Sequence, residues 1–222
     1  MPGTLGRREP SDYEHVEKYP LAAALPARPV PVVIGINWYT AFDTPGAGNW
    51  IGRDGNLGSV RGGHAICLEP YIAHRDIPAY WDFYNQGPDG ACVGFSCSRM
   101  MSLLNRQLYD APWLYHQAQL IDEYPDTPPA EGSSVRAGCD VLRLRGPRAH
   151  GLADPHLGDG IAAVRWATKA EEVTAALGNV HAPYVKLLNS WGRGYPEKVY
   201  LPVAVLQRLL DEGGEAAVVT DR

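Results

Sequence analysis

Residues 92–105, CVGFSCSRMMSLLN, are apolar on nearly every side of a helical wheel, with Arg99 and Asn105 as sparse exceptions. A helix of that kind has no solvent face, so the rest of the chain has to wrap around it. The stretch before it, NQGPDG (85–90), is a turn by composition, which sets Cys92 at the first helical turn. A chain of 222 residues can enclose such a helix as one domain or as two interlocked lobes.

The flanking segments supply the wrapping. Five β-branched or alternating runs predict strands: 31–39 (PVVIGINWY), 64–71 (HAICLEPY), 184–192 (YVKLLNSWG), 198–202 (KVYLP) and 215–219 (EAAVV). Helices are predicted at 110–124, where Asp110 caps and Pro112 sits in the first turn, and at 133–146, where Val135, Gly138, Cys139 and Leu142 form one stripe. Two more are predicted at 168–178, opened by a capping box from Thr168 to Glu171, and at 202–214 after Pro202. Residues 40–63 form a glycine-dense loop, and a loop of that length is usually functional or mobile. Five prolines within residues 1–30 predict an extended N-terminal strap. Strands, then helices, then strands make the class α+β, with the two kinds of element segregated.

Charge and composition exclude several classes of function. A net charge of −5 leaves no basic field for a phosphate backbone, so nucleic acid is not an expected partner. No run is long and apolar enough for a membrane helix, and the opening MPGTLGRREP lacks the apolar centre of a signal peptide. The expectation is a cytoplasmic protein. Four cysteines, Cys67, Cys92, Cys97 and Cys139, are too few for a disulfide framework and agree with a reducing compartment.

Cys92 by itself has two readings. Free cysteine is among the most buried residue types, so a core thiol is the simpler one. The other is a nucleophile, because unpaired N–H groups at a helix start favour a thiolate and lower the thiol pKa. Gln86 lies six residues before it across the turn, so its amide and the Cys92 backbone N–H could converge as an oxyanion hole. His64, after Gly62-Gly63, opens the strand HAICLEP and is the candidate base. If its strand pairs antiparallel with YVKLLN, the start of one lies beside the end of the other. Asn189 could then accept from the imidazole and fix its tautomer. A zinc site is disfavoured: His64 and Cys67 point to opposite faces of a strand, and Cys92 and Cys97 stand about 140° apart on a helix. Trp38, Tyr39, Trp113, Tyr115 and Trp166 read as core or cleft walls.

NQGPDGACVGF resembles the nucleophile segment of papain-like cysteine peptidases, GGHAICLEP their histidine strand, and LLNSWGRGYPEKVYLP their asparagine segment. Compact bacterial or actinobacteriophage-encoded members are the nearest likeness, which would place the protein in a host cytoplasm or a virion. The resemblance implies a two-lobed catalytic domain over 31–222. Its barrel-like sheet lobe would come from 31–75 and 183–222, and its helical lobe from 76–182. It also implies roles: Cys92 as nucleophile, His64 as base and then acid, Asn189 as orienter and Gln86 as oxyanion donor. Trp191 would shield the His64–Asn189 hydrogen bond, and Gly132 would line the cleft and bind substrate backbone. Acyl transfer on a peptide or protein substrate, with no cofactor, is the implied chemistry. A thiol amidase or acyltransferase, or a papain-fold binding protein without turnover, are the alternatives.

Three departures accompany the likeness. His64 precedes Cys92, whereas the family runs Cys, His, Asn; circular permutation cannot produce that order, and the block from about 30 to 72 stands ahead of the helical lobe. Val93 replaces the aromatic after the nucleophile, and Asp89 the half-cystine three residues before it. The thirty-residue strap is short for an inhibitory propeptide.

Overall fold

The computed structural model describes residues 28–71, 84–122 and 131–222. Its strands are β1 (Val32–Tyr39), β2 (Val60–Glu69), β3 (Ile161–Ala167), β4 (Tyr184–Leu188), β5 (Lys198–Pro202) and β6 (Glu215–Asp221). Its helices are α1 (Cys92–Asn105), α2 (Ala111–Ile121), α3 (Val135–Leu144), α4 (Ala170–Ala176) and α5 (Val203–Asp211). The class is α+β. All six strands join one antiparallel sheet in the order β3-β6-β1-β2-β4-β5.

The expected barrel-like sheet is instead open, because β3 and β5 end the sheet and do not pair with each other. The β5 edge is covered locally: Ile51 N–H donates to Tyr200 O (3.0 Å) and Tyr200 N–H to Asn49 O (2.9 Å). That coverage comes from the glycine-dense loop.

Side-chain alternation sorts the sheet's two faces into two cores. Val32, Ile34, Ile36, Ile66, Leu68, Val185, Leu187, Val199 and Leu201 pack under α4 and α5 with the loop residues Phe42, Ile51 and Leu57. Val33, Ala65, Cys67, Ala217 and Val219 face α1, α2 and α3 through Val93, Cys97, Met100, Leu114 and Leu142. β1 and the half of β2 from His64 onward are thus buried on both faces, which is why they read as nearly continuous apolar runs.

α1 is buried from Val93 through Ser102, as its all-round apolar pattern requires. Two glycines permit the close crossings. A methyl on Gly94 would sit 2.6 Å from Tyr115 Cβ and 2.7 Å from Ala111 O, and one on Gly138 would sit 2.9 Å from Cys97 Sγ. Asp110 caps α2 by accepting from Trp113 N–H (2.9 Å), and Ser134 caps α3 by accepting from Ala137 N–H (3.1 Å).

Several boundaries differ from expectation. β2 begins at Val60, so His64 lies within the strand rather than at its start; Gly62 and Gly63 pair with Trp38 and Asn37 although glycine alone suggests a loop. β3 was not predicted, and it lies inside the stretch expected to be helical lobe. The α4 box is one residue later than expected: the Glu172 carboxylate, not that of Glu171, accepts from Thr168 N–H (2.8 Å) and Lys169 N–H (3.1 Å). Most of the expected strap lies outside the described residues; at its end Val30 N–H donates to Ala176 O (2.9 Å). No helix among the described residues is long and apolar enough to cross a membrane.

Candidate active site

β2 and β4 pair antiparallel, with Cys67 opposite Leu188 and Leu68 opposite Leu187. Carrying that register one residue past the end of β4 sets Asn189 opposite Ile66, two residues along β2 from His64. His64 Nε2 and Asn189 Oδ1 stand 3.1 Å apart, with both residues buried. The proton between them can be assigned, because Asn189 Oδ1 also accepts from Ser190 N–H (2.8 Å) and is therefore the amide oxygen. An oxygen that only accepts requires the hydrogen on His64 Nε2, which leaves Nδ1 as the basic nitrogen.

Aromatic rings surround that imidazole. Trp38 stands edge-on to it with centroids 4.9 Å apart, and Trp191 lies 5.0 Å away at an interplanar angle of 37°. Trp38 is held in turn by Asp43, whose Oδ1 accepts from the indole N–H at 2.9 Å while Oδ2 pairs with Arg61. Burial lowers the His64 pKa to about 4, and the Asn189 hydrogen bond only partly opposes it.

Cys92 opens α1, and no side chain caps that helix start, so its first N–H groups are left to the thiol. The main-chain N–H groups of Ala65, Val93 and Cys92 favour the ionised thiol, so the sulfur lies near the residue that follows His64. The expected lowering of the thiol pKa does not occur. Burial pushes it up, and the three N–H groups oppose this without cancelling it. The other cysteines are fully buried: burial raises Cys67 to about 12, and a hydrogen bond to Cys139 together with burial holds Cys97 well above its ordinary range.

Gln86 sits in the loop leading to Cys92. Its Nε2 donates to Asp89 O (2.8 Å) and its Oε1 is buried without a hydrogen-bond partner. Its main chain is tied to the asparagine segment, since Gln86 N–H donates to Ser190 O at 2.8 Å and Asn85 bridges Trp191. Gly132 adopts φ +116° and donates to Tyr115 Oη (3.1 Å). A methyl on Gly90 would meet Gly132 N at 3.0 Å, so the Gly132 segment lies against the loop before Cys92, while space beside Gly132 itself is open.

Two residues at the site were not singled out from the sequence. Trp38 was read as a wall, and the signal for its contact with His64 is the pairing of β1 with β2, which seats Ile36 opposite His64. Arg99 was noted only as a sparse polar residue; it is 3% exposed and donates from Nη1 to Asn189 O (3.3 Å). A charge in an otherwise apolar helix was the available signal. Among the described residues no group of three or more His, Cys, Asp or Glu side chains stands close enough to hold a metal ion.

No family model matches this chain, and neither does any curated protein or solved structure.

Proposed function

We propose that the chain is a papain-like thiol hydrolase that cleaves peptide bonds through Cys92, His64 and Asn189. The observation that carries this is the buried His64 Nε2–Asn189 Oδ1 hydrogen bond, one residue along β2 from Ala65, whose N–H favours the ionised form of the Cys92 thiol. Such a tether gives an imidazole a defined tautomer beside a thiol, the pairing that nucleophilic catalysis requires.

With burial favouring neutral forms on both partners, the resting pair is thiol and imidazole rather than thiolate and imidazolium. His64 Nδ1 takes the thiol proton as sulfur attacks the substrate carbonyl carbon. The Cys92 N–H and the Gln86 amide, once turned from Asp89, receive the oxyanion. The proton then passes from His64 to the leaving amine, and water, activated by the same nitrogen, hydrolyses the thioester. Trp191 and Trp38 keep bulk water off the imidazole, and Gly132 offers backbone groups to an extended substrate.

The test is labelling with an epoxysuccinyl thiol reagent, located by mass spectrometry. Modification is expected at Cys92 alone and is expected to vanish in His64→Ala. Equal labelling of all four cysteines, or none, would instead leave a binding protein without turnover. Fragments released from a peptide library would then separate a peptidase from an amidase or acyltransferase.

A further inference from the structure

The strongest feature outside those roles is a cation within the nucleophile helix. Arg99 follows Cys92 by seven residues, two turns of α1, so it lies on nearly the same helical face about 10 Å further along. Its guanidinium stacks over Tyr84 at 5.3 Å and donates to the main-chain oxygen of Asn189 at 3.3 Å. Burying a cation in an apolar helix is costly, and an aliphatic residue would avoid that cost. The nearby buried carboxylate of Glu69 is itself met by Lys198 at 3.1 Å and Lys186 at 3.7 Å. Burial lowers the Arg99 pKa, and the charges of groups around it, Glu197 and Glu69 among them, only partly oppose this.

The contact joins two elements that the chemistry needs in register. α1 carries the sulfur; the turn after β4 carries the carboxamide that orients the base. Arg99 reaches the Asn189 main chain directly from α1. We propose that Arg99 is a positioning residue: it pins the Asn189 main chain to the Cys92 helix, so that the Asn189 amide oxygen stays on His64 and the imidazole stays presented to the sulfur. This rests on the thiol-hydrolase reading and adds to it a part played by a group that touches neither substrate nor the reacting atoms.

The experiment follows Cys92 alkylation by iodoacetamide in the full chain, with the Cys92 peptide quantified by mass spectrometry across pH. Arg99→Lys keeps a cation beside Glu69 and Glu197 but lacks the planar fork and the reach of the guanidinium. It is expected to remain folded in a thermal melt and to slow His64-dependent alkylation about tenfold, with an altered pH profile. In an Asn189→Ala background the same substitution should cause no further slowing, since the path through Asn189 is already cut.

An Arg99→Lys rate within about twofold of wild type, or slowing that is fully retained on top of Asn189→Ala, overturns the proposal. Should Arg99→Lys melt out, Arg99→Met is measured the same way; it leaves no buried cation. Failure of the underlying reading looks different: wild-type Cys92 would then alkylate no faster than a cysteine in a short peptide and would ignore His64→Ala.

Discussion

At His64 two indole rings and a carboxamide oxygen replace solvent, and burial lowers protonation to about 4. That shift has a sign that can be worked out. Between its ordinary value of 6.5 and about 4, the unfolded chain holds more protons at this residue than the folded protein does. Stability from this source is complete above 6.5 and is lost as pH falls toward 4, by about 3 kcal/mol over the window. Denaturant midpoints at neutral pH and at about pH 4 should show wild type losing that much more than His64→Gln. Catalysis should follow the same group. Because a base must be neutral, the acid limb of kcat/KM is expected near pH 4, and a limb near 6.5 would mean that the imidazole is solvated in the working protein.

Among the elements, α1 depends most on close approach. Gly94→Ala drives a methyl into the α2 main chain at 2.7 Å, which rotamer changes cannot relieve. A loss of about 2–3 kcal/mol is expected in chemical denaturation, with Cys92 labelling falling as α1 shifts. How far each element was legible follows from what its pattern reports. α1, β1 and the apolar half of β2 were readable because burial on all sides leaves an unbroken apolar run. α2 and α3 announced themselves through Asp110, Pro112 and the Val135–Leu142 stripe. β3 was missed because IAAVRWA places exposed Ala162 and Ala163 beside Arg165 and lacks clean alternation. The glycine half of β2 was missed because its pairing is made by main chain alone. The His64–Asn189 juxtaposition was legible from the antiparallel pairing of their two segments, although His64 lies inside β2 and not at its start. The Trp38 contact and the Arg99 bridge were not, since each depends on how α1 and β1 are set against other elements.

At the scale of the whole molecule, closure of the sheet was the feature least accessible from residues. It depends on whether β3 and β5, 30 residues or more apart along the chain, meet in space, and no local pattern encodes that. The chain's last strand is not an edge: β6 runs between β3 and β1, pairing Val32 with Val218 on one side and Trp166 with Ala217 on the other. A protein cut before Glu215 would leave β1 unpaired along that side and strip Ala216–Val219 from both cores. It is expected to be insoluble or molten by near-ultraviolet circular dichroism, and a well-folded product would show that β6 is dispensable. During synthesis the ribosome releases Cys92 long before β6, and His64 earlier still, so both residues coexist on an unfinished chain. The interior berth of β6 makes assembly of the sheet wait for Glu215–Asp221, and a polypeptide stalled before them would carry Cys92, His64 and Asn189 on an unfinished scaffold.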